Sequence, residues 1–172
     1  NVVLNASVPA GSDIDGSVAS YALAGGVGAG NGALSFNADG SYVFNPSGDF
    51  DALGVGQSRD VTFTYTATDN SGGVSLPATV TITVTGANDA PTGADASVTI
   101  AEDGSRAFAG ADFGFADMDV GDTLAAVRID SLPSAGTLTL NGSAVAAGQS
   151  IAAGDLANLV FTPAANANGA PY

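Results

Sequence analysis

Two Asp-x-Asp elements are the residues of this sequence whose type and spacing could do chemistry. One is Asp13-Ile14-Asp15-Gly16, and the other is Asp117-Met118-Asp119, with Gly121 soon after it. In an extended loop this spacing directs both carboxylates toward one point, and the Gly lets a backbone carbonyl turn in beside them. Calcium binds hard oxygen ligands of this kind. Neither element has the further ligand and the late Glu of an EF-hand loop, so a different type of calcium site is predicted.

The remaining side chains exclude most catalytic chemistry. The sequence has no His, Cys, Lys or Trp, and its only cations are three arginines. A Ser-His relay, a thiolate nucleophile, a zinc site of ordinary ligand type and a Schiff base are therefore excluded. A paired-carboxylate glycosidase remains open, but it needs a cleft with aromatic sugar platforms, and Trp is absent. We therefore predict a non-enzymatic protein with no nucleotide, haem or redox cofactor.

The charge balance limits the partners. The net charge is −14, with 17 acidic residues among which Glu102 is the only Glu. Such a chain repels nucleic-acid phosphates and anionic membranes, and its compact state repels itself unless cations bind. No run of about 18 apolar residues is present either. We expect no nucleic-acid partner, no direct membrane insertion and a requirement for divalent cations.

The elements that must position the acids are β-strands. Apolar residues alternate with threonines from Val61 to Ala67 and from Val80 to Thr85, as in half-buried antiparallel strands. Clusters of Gly, Asn, Asp and Ser between the runs predict turns, and Ser150 to Leu159 could form one helical turn. The sequence therefore predicts an all-β fold. Shorter predicted strands are Leu34 to Phe36, Tyr42 to Phe44, Val98 to Ile100, Leu124 to Ile129, Thr137 to Leu140 and Leu159 to Phe161.

An internal repeat with a period of about 100 residues predicts two sandwich domains. The boundary is expected at Gly86 to Pro91, which gives domains at 1–87 and 88–172. The second copy carries an insertion around Ala146 to Asp155. The repeated pairs are Asp13 to Gly16 with Asp117 to Val120, Gly32 to Phe36 with Gly136 to Leu140, and Tyr42 to Pro46 with Leu159 to Pro163.

Both domains are expected to be incomplete at the chain ends. The first lacks a counterpart of Asp95 to Glu102, its first strand, and the second lacks its last strands. Sandwiches without these strands would have open sheet edges. Either further parts of the protein or a neighbouring chain would then supply the strands.

Several segments resemble the bacterial cadherin-like repeats, including the VCBS type, of giant secreted RTX adhesins. The resemblance is strongest from Phe63 to Gly73 and from Val80 to Pro91, which reads VTITVTGANDAP, and it extends to Asp117 to Asp130 and Leu159 to Gly169. It implies tandem Ig-like or cadherin-like Greek-key β-sandwich domains. It also implies a secreted protein at the bacterial cell surface.

The resemblance further implies which residues bind calcium. Linkers between cadherin-like domains hold the ions, and Leu53 stands where many cadherins place another acid, so fewer ions are expected here. Glu102 would serve the next junction downstream. The expected ligands at the junction are Asp51, Asn88, Asp89, Asp117, Asp119 and Asp122, and those at the far end of the first domain are Asp13, Asp15 and Asp69.

Three functional hypotheses follow from these observations. The first is a calcium-rigidified spacer of a large bacterial adhesin, which contacts neighbouring repeats of the same protein and supports cell adhesion or biofilm formation. The second is a polysaccharide-binding module, which an exposed aromatic cluster would favour. The third is self-association into an extracellular filament, in which strands exchanged between subunits complete each domain.

Overall fold

A computed structural model describes residues 2–101 and 103–165 and confirms the all-β fold. The chain forms two compact units, namely Asn1–Asp89 together with Met118–Val120, and Ala90–Asp117 together with Gly121–Tyr172. Short 3-10 turns are the helical elements of the described residues. None of these residues belongs to a helix long and apolar enough to cross a bilayer.

The first unit contains two three-stranded antiparallel sheets. The strands are β1 (Leu4–Ser7), β2 (Val18–Gly25), β3 (Ala33–Phe36), β4 (Ser41–Asn45), β5 (Ser58–Asp69) and β6 (Ala78–Thr85). One sheet has the order β1-β4-β3 and the other β2-β5-β6. In β5, Val61 and Phe63 are buried while Thr62 between them is exposed. The period-two alternation thus directs one face of β5 into the core.

Aromatic side chains from both sheets build the core of the first unit. Phe44 and Phe63 are each only 1% exposed, and the ring of Tyr42 meets that of Phe63 edge-on at a centroid distance of 5.0 Å. Phe50 closes the core from the 3-10 turn Ser47–Phe50. The guanidinium of Arg59 lies 4.0 Å above the Phe50 ring and holds it in place.

The second unit also contains two antiparallel sheets, which are built from shorter strands. They are β7 (Arg106–Ala107), β8 (Ala126–Ile129), β9 (Thr137–Leu140), β10 (Ser143–Ala144), β11 (Gln149–Ala152) and β12 (Leu159–Thr162). The sheets have the orders β10-β9-β12-β7 and β11-β8. The core consists of Val145, Ile151, Leu156 and Leu159.

The internal repeat is visible in strand pairing. Leu34 pairs with Phe44 between β3 and β4, and Leu138 pairs with Phe161 between β9 and β12. The insertion predicted around Ala146 to Asp155 forms β11 and part of the 3-10 turn Ala153–Asn158. The repeat therefore encodes a common strand pair, and the insertion adds a strand to the second unit.

Two sequence predictions of secondary structure need correction. Val98 to Ile100 is not a strand, because no strand among residues 2–101 and 103–165 pairs with it and alternation alone does not hold a strand. The helical turn expected at Ser150 to Leu159 is confined to Ala153–Asn158. The residues before it continue β11, since Ile151 pairs with Val127 and is buried.

Gly32 occupies a position that no other residue can take without strain. Its φ is +77°, and a Cβ there would lie 2.5 Å from the carbonyl oxygen of Asn45. We expect Gly32→Ala to destabilise the protein by about 2 kcal/mol or more, because the unfavourable φ and the backbone clash add. Gly30→Ala is the matched control, since Gly30 has a φ of +73° with no atom near its added Cβ. If urea unfolding showed the same loss of unfolding free energy for both variants, the clash with the carbonyl oxygen of Asn45 would not contribute.

Candidate metal site

Three carboxylates of one loop lie close enough to share a cation. The side chains of Asp117, Asp119 and Asp122 each offer an oxygen, and these oxygens all lie within 4.8 Å of one another. Calcium–oxygen distances of about 2.3–2.6 Å allow two ligands of one ion to lie up to about 5 Å apart. The donor set consists of hard oxygens, so its chemistry and spacing fit calcium.

The local backbone turns Asp119 inward. Asp119 is 3% exposed, whereas its neighbours Met118 and Val120 are 60% and 69% exposed. Within the first unit, its Oδ2 accepts a hydrogen bond of 2.9 Å from the backbone N–H of Asp89. Burial of a carboxylate is costly unless donors or a cation compensate it. The Asp89 N–H supplies one such donor, and a divalent cation would add a stronger compensation.

Other residues of the first unit hold the segment Met118–Val120 in place. The N–H of Val120 donates to the carbonyl oxygen of Ala52 at 3.2 Å. A Cβ added to Gly54 would lie 3.5 Å from the side chain of Asp119, an ordinary contact distance, so Gly54 packs directly beside the carboxylate. Gly121 follows with a φ of +102° and turns the chain toward Asp122.

The other predicted junction ligands do not enter this group of three. Asp51 follows the 3-10 turn Ser47–Phe50, where its N–H donates to the carbonyl of Gly48. The side-chain amide of Asn88 donates to the carbonyl of Asp89. Asp51 and Asp89 both line a groove of the first unit. Their roles as calcium ligands stay a prediction.

The cluster predicted from Asp13, Asp15 and Asp69 is not assembled in the same way. Across residues 2–101 and 103–165, the loop 117–122 supplies the only group of three or more acids with oxygens this close. Asp15 is exposed, and Asp13 is half-buried beside Gly16. The Oδ1 of Asp69 accepts hydrogen bonds from its own loop. Glu102, expected to serve the next junction, lies outside the described residues.

Asn70 is a residue that the sequence analysis missed. Its Oδ1 accepts a hydrogen bond of 3.0 Å from the N–H of Ser17, and its own N–H donates to the carbonyl of Ser17, also at 3.0 Å. This pair joins the loop after β5 to the loop that contains Asp13. The signal available in the sequence was its position directly after Asp69 in a Gly-rich turn.

The hydrogen bonds of Asp69 predict an acid-sensitive contribution to stability. The N–H groups of Gly73 and Ser71 donate to its carboxylate and hold its pKa below the ordinary value. A lowered folded-state pKa adds stability that is present above the unfolded pKa, about 3.9, and is lost as the pH falls through the folded value. We therefore expect Asp69→Asn to reduce the difference between urea midpoints at pH 7 and at about pH 3.

Asp155→Asn is the control for this prediction, because Asp155 is an exposed acid on the 3-10 turn of the second unit. It measures how the loss of one exposed negative charge, without the loop hydrogen bonds of Asp69, changes the two midpoints. The same acid dependence in Asp69→Asn as in the unchanged protein would show that these hydrogen bonds contribute no pH-linked stability.

The fold and the site together define the class of this protein. Antiparallel sheets arranged around the core of each of two compact units are typical of β-sandwich domains. The family model of the bacterial cadherin-like domain matches residues 1–86, and the chain belongs to that family. The cadherin-like part of the resemblance is thereby confirmed, while the VCBS and RTX context stays a prediction. No curated protein matches the chain.

Membership of this family carries general properties. Bacterial cadherin-like domains are non-enzymatic modules and typically extracellular. They occur as repeats that associate with neighbouring domains, and they typically bind calcium. The family thus points to an extracellular, adhesion-type repeat.

Proposed function

We propose that this chain is a calcium-rigidified spacer from a large bacterial cell-surface adhesin. The observation that carries the proposal is the group of three carboxylates in the loop 117–122, with oxygens within 4.8 Å of one another. Three like charges at that separation repel one another, and a divalent cation among them removes the repulsion. The cadherin-like family supports the extracellular setting.

The net charge supplies a second line of support. With a net charge of −14 and three cations, the folded chain repels itself, and bound calcium offsets part of that repulsion. Extracellular calcium at millimolar level saturates even weak modular sites. Inside the cell, where calcium is scarce, the same chain would stay flexible enough for export. Folding would then be coupled to secretion.

The proposed domains are 1–87 and 88–172, with the linker residues Asn88 and Asp89 at the junction. In this proposal Asp117, Asp119 and Asp122 form the centre of the calcium site, and Asp51, Asn88 and Asp89 complete it. Calcium would then restrict the motion of successive domains and stiffen a chain of repeats. A stiff rod projects a terminal binding domain away from the cell.

Small-angle X-ray scattering with calcium and with excess chelator tests this function. We expect calcium to narrow the distribution of the radius of gyration and to increase the maximum dimension of the protein. Asp122→Asn should weaken the response, whereas Asp130→Asn should not, because Asp130 is an exposed acid outside the group. Superimposable scattering curves with calcium and with chelator would refute the spacer function.

A further inference from the structure

Two Asn-Gly pairs of the described residues have the same chemistry but different surroundings. Asn is a thermolabile residue, and it is most labile before Gly, because a residue without a Cβ leaves its backbone nitrogen open to the Asn side chain. The pairs are Asn31-Gly32 and Asn141-Gly142. A third pair, Asn168-Gly169, lies outside the described residues. The reactivity of each described pair therefore depends on how the fold holds it.

The pair Asn141-Gly142 forms an exposed turn between β9 and β10. Its φ values of +50° and +78° are both positive, as in the two-residue type I′ turn that Asn-Gly favours. The strand after the turn, β10, has two residues and lies at the edge of its sheet. Among residues 2–101 and 103–165, no acceptor binds the N–H of Gly142. Such a short edge pairing opens locally at little free-energy cost, so the turn can rotate into a reactive geometry.

The pair Asn31-Gly32 is held at both groups that would react. The side-chain amide of Asn31 is half-buried and donates to the carbonyl oxygen of Val27 at 3.0 Å. The N–H of Gly32 donates to Oδ2 of Asp49 at 2.8 Å, and the charge of that carboxylate disfavours loss of the proton. A Cβ added to Gly32 would lie 2.5 Å from the carbonyl oxygen of Asn45. The backbone therefore cannot rotate here unless the surrounding structure opens.

We propose that Asn141 is a site of spontaneous deamidation and that the fold protects Asn31 from the same reaction. The backbone nitrogen of Gly142 gives its proton to hydroxide and attacks the side-chain carbonyl carbon of Asn141. The C–N bond of the side-chain amide breaks, its nitrogen takes a proton from water and leaves as ammonia, and a succinimide ring remains. Water then opens the ring at either carbonyl and gives aspartate or isoaspartate. No calcium takes part, so this inference is independent of the spacer function.

The two products affect the second unit differently. Aspartate adds one negative charge to a chain of net charge −14 but keeps the turn, because Asp-Gly favours the same type I′ geometry. Isoaspartate lengthens the backbone by one methylene, which disturbs the register that pairs Ser143 with Leu140. Val145 follows β10, is 5% exposed and donates its N–H to the carbonyl oxygen of Leu138. Isoaspartate therefore loosens a core residue of the second unit.

Peptide mapping by mass spectrometry after incubation of the whole protein at mildly alkaline pH tests the proposal. Cleavage after the three arginines places Asn31 and Asn141 in different peptides, and fragment ions separate Asn141 from Asn168. We expect Asn141 to convert at least about tenfold faster than Asn31 in the folded protein, because only its turn opens locally. In denaturing urea the two sites should convert at similar rates, which shows that the difference comes from the fold.

Asp49→Ala tests the protection of Asn31 separately. The variant removes the acceptor of the Gly32 N–H and should speed conversion of Asn31 several-fold while leaving Asn141 unchanged. Asp130→Ala is the control, because Asp130 is an exposed acid of the second unit. Circular dichroism confirms that each variant is folded, and the comparison of folded with urea-denatured protein needs no variant. Equal rates at Asn31 and Asn141 in the folded protein would overturn the proposal, as would an intact Asn141 after an incubation that converts it in urea.

Discussion

We expect saturating calcium to raise the unfolding temperature of this protein by about 4–8 °C relative to protein in excess chelator. Calcium sites of extracellular modules have dissociation constants of about 10⁻⁴–10⁻³ M, so about 10 mM calcium stabilises the folded state by about 2 kcal/mol per site. For a chain of 172 residues this corresponds to several degrees. Differential scanning calorimetry in calcium and in chelator measures the shift.

Asp119→Asn should remove most of the calcium-dependent shift. Asp119 is the buried member of the three-carboxylate group, and an amide lacks the charge that attracts the cation. The variant keeps an oxygen that can accept the hydrogen bond from Asp89, so the chelated protein should still fold. Asp130→Asn should keep the full shift. Identical melting curves of the unchanged protein with calcium and with chelator would show that its acids hold no stabilising ion.

Phe63→Ala should lower the free energy of unfolding by about 3–5 kcal/mol, which is the usual loss for a buried Phe. Phe63 is 1% exposed and belongs to the central strand of its sheet. Its ring contacts those of Tyr42 and Phe36 at centroid distances of 5.0 and 5.9 Å. Because small domains are stable by only about 5–15 kcal/mol, this change would consume a large share of the stability.

Urea unfolding at constant calcium measures this loss, with Thr62→Ala as the control. Thr62 precedes Phe63 in β5 but points to the exposed face, so its truncation should cost less than about 1 kcal/mol. Similar small losses for both variants would mean that Phe63 does not anchor the core.

The alternation of apolar and polar residues predicted the long strands β5 and β6, because each of them has one face toward the core and one toward solvent. In β5 and β6 apolar residues alternate with threonines, and each strand has one buried face. The strand β2 was missed because Val18 to Gly25 consists mostly of Ala, Ser and Gly, which carry little pattern. Its hydrogen bonds to β5 make it a strand. Where the local pattern is weak, hydrogen bonding to a long neighbouring strand therefore decides whether a segment becomes a strand.

The candidate metal site shows the same division between local pattern and tertiary structure. Acid type and Asp-x-Asp spacing, both local properties, predicted hard-oxygen ligands at Asp117 and Asp119, and the shortage of cations predicted a need for metal. The same spacing at Asp13 and Asp15 forms no such group among residues 2–101 and 103–165, where the Oδ1 of Asp69 accepts hydrogen bonds from its own loop, and calcium binding by these three acids stays a prediction. Only the tertiary structure decides which oxygens converge, since convergence depends on where the backbone folds back and which donors it brings to each carboxylate.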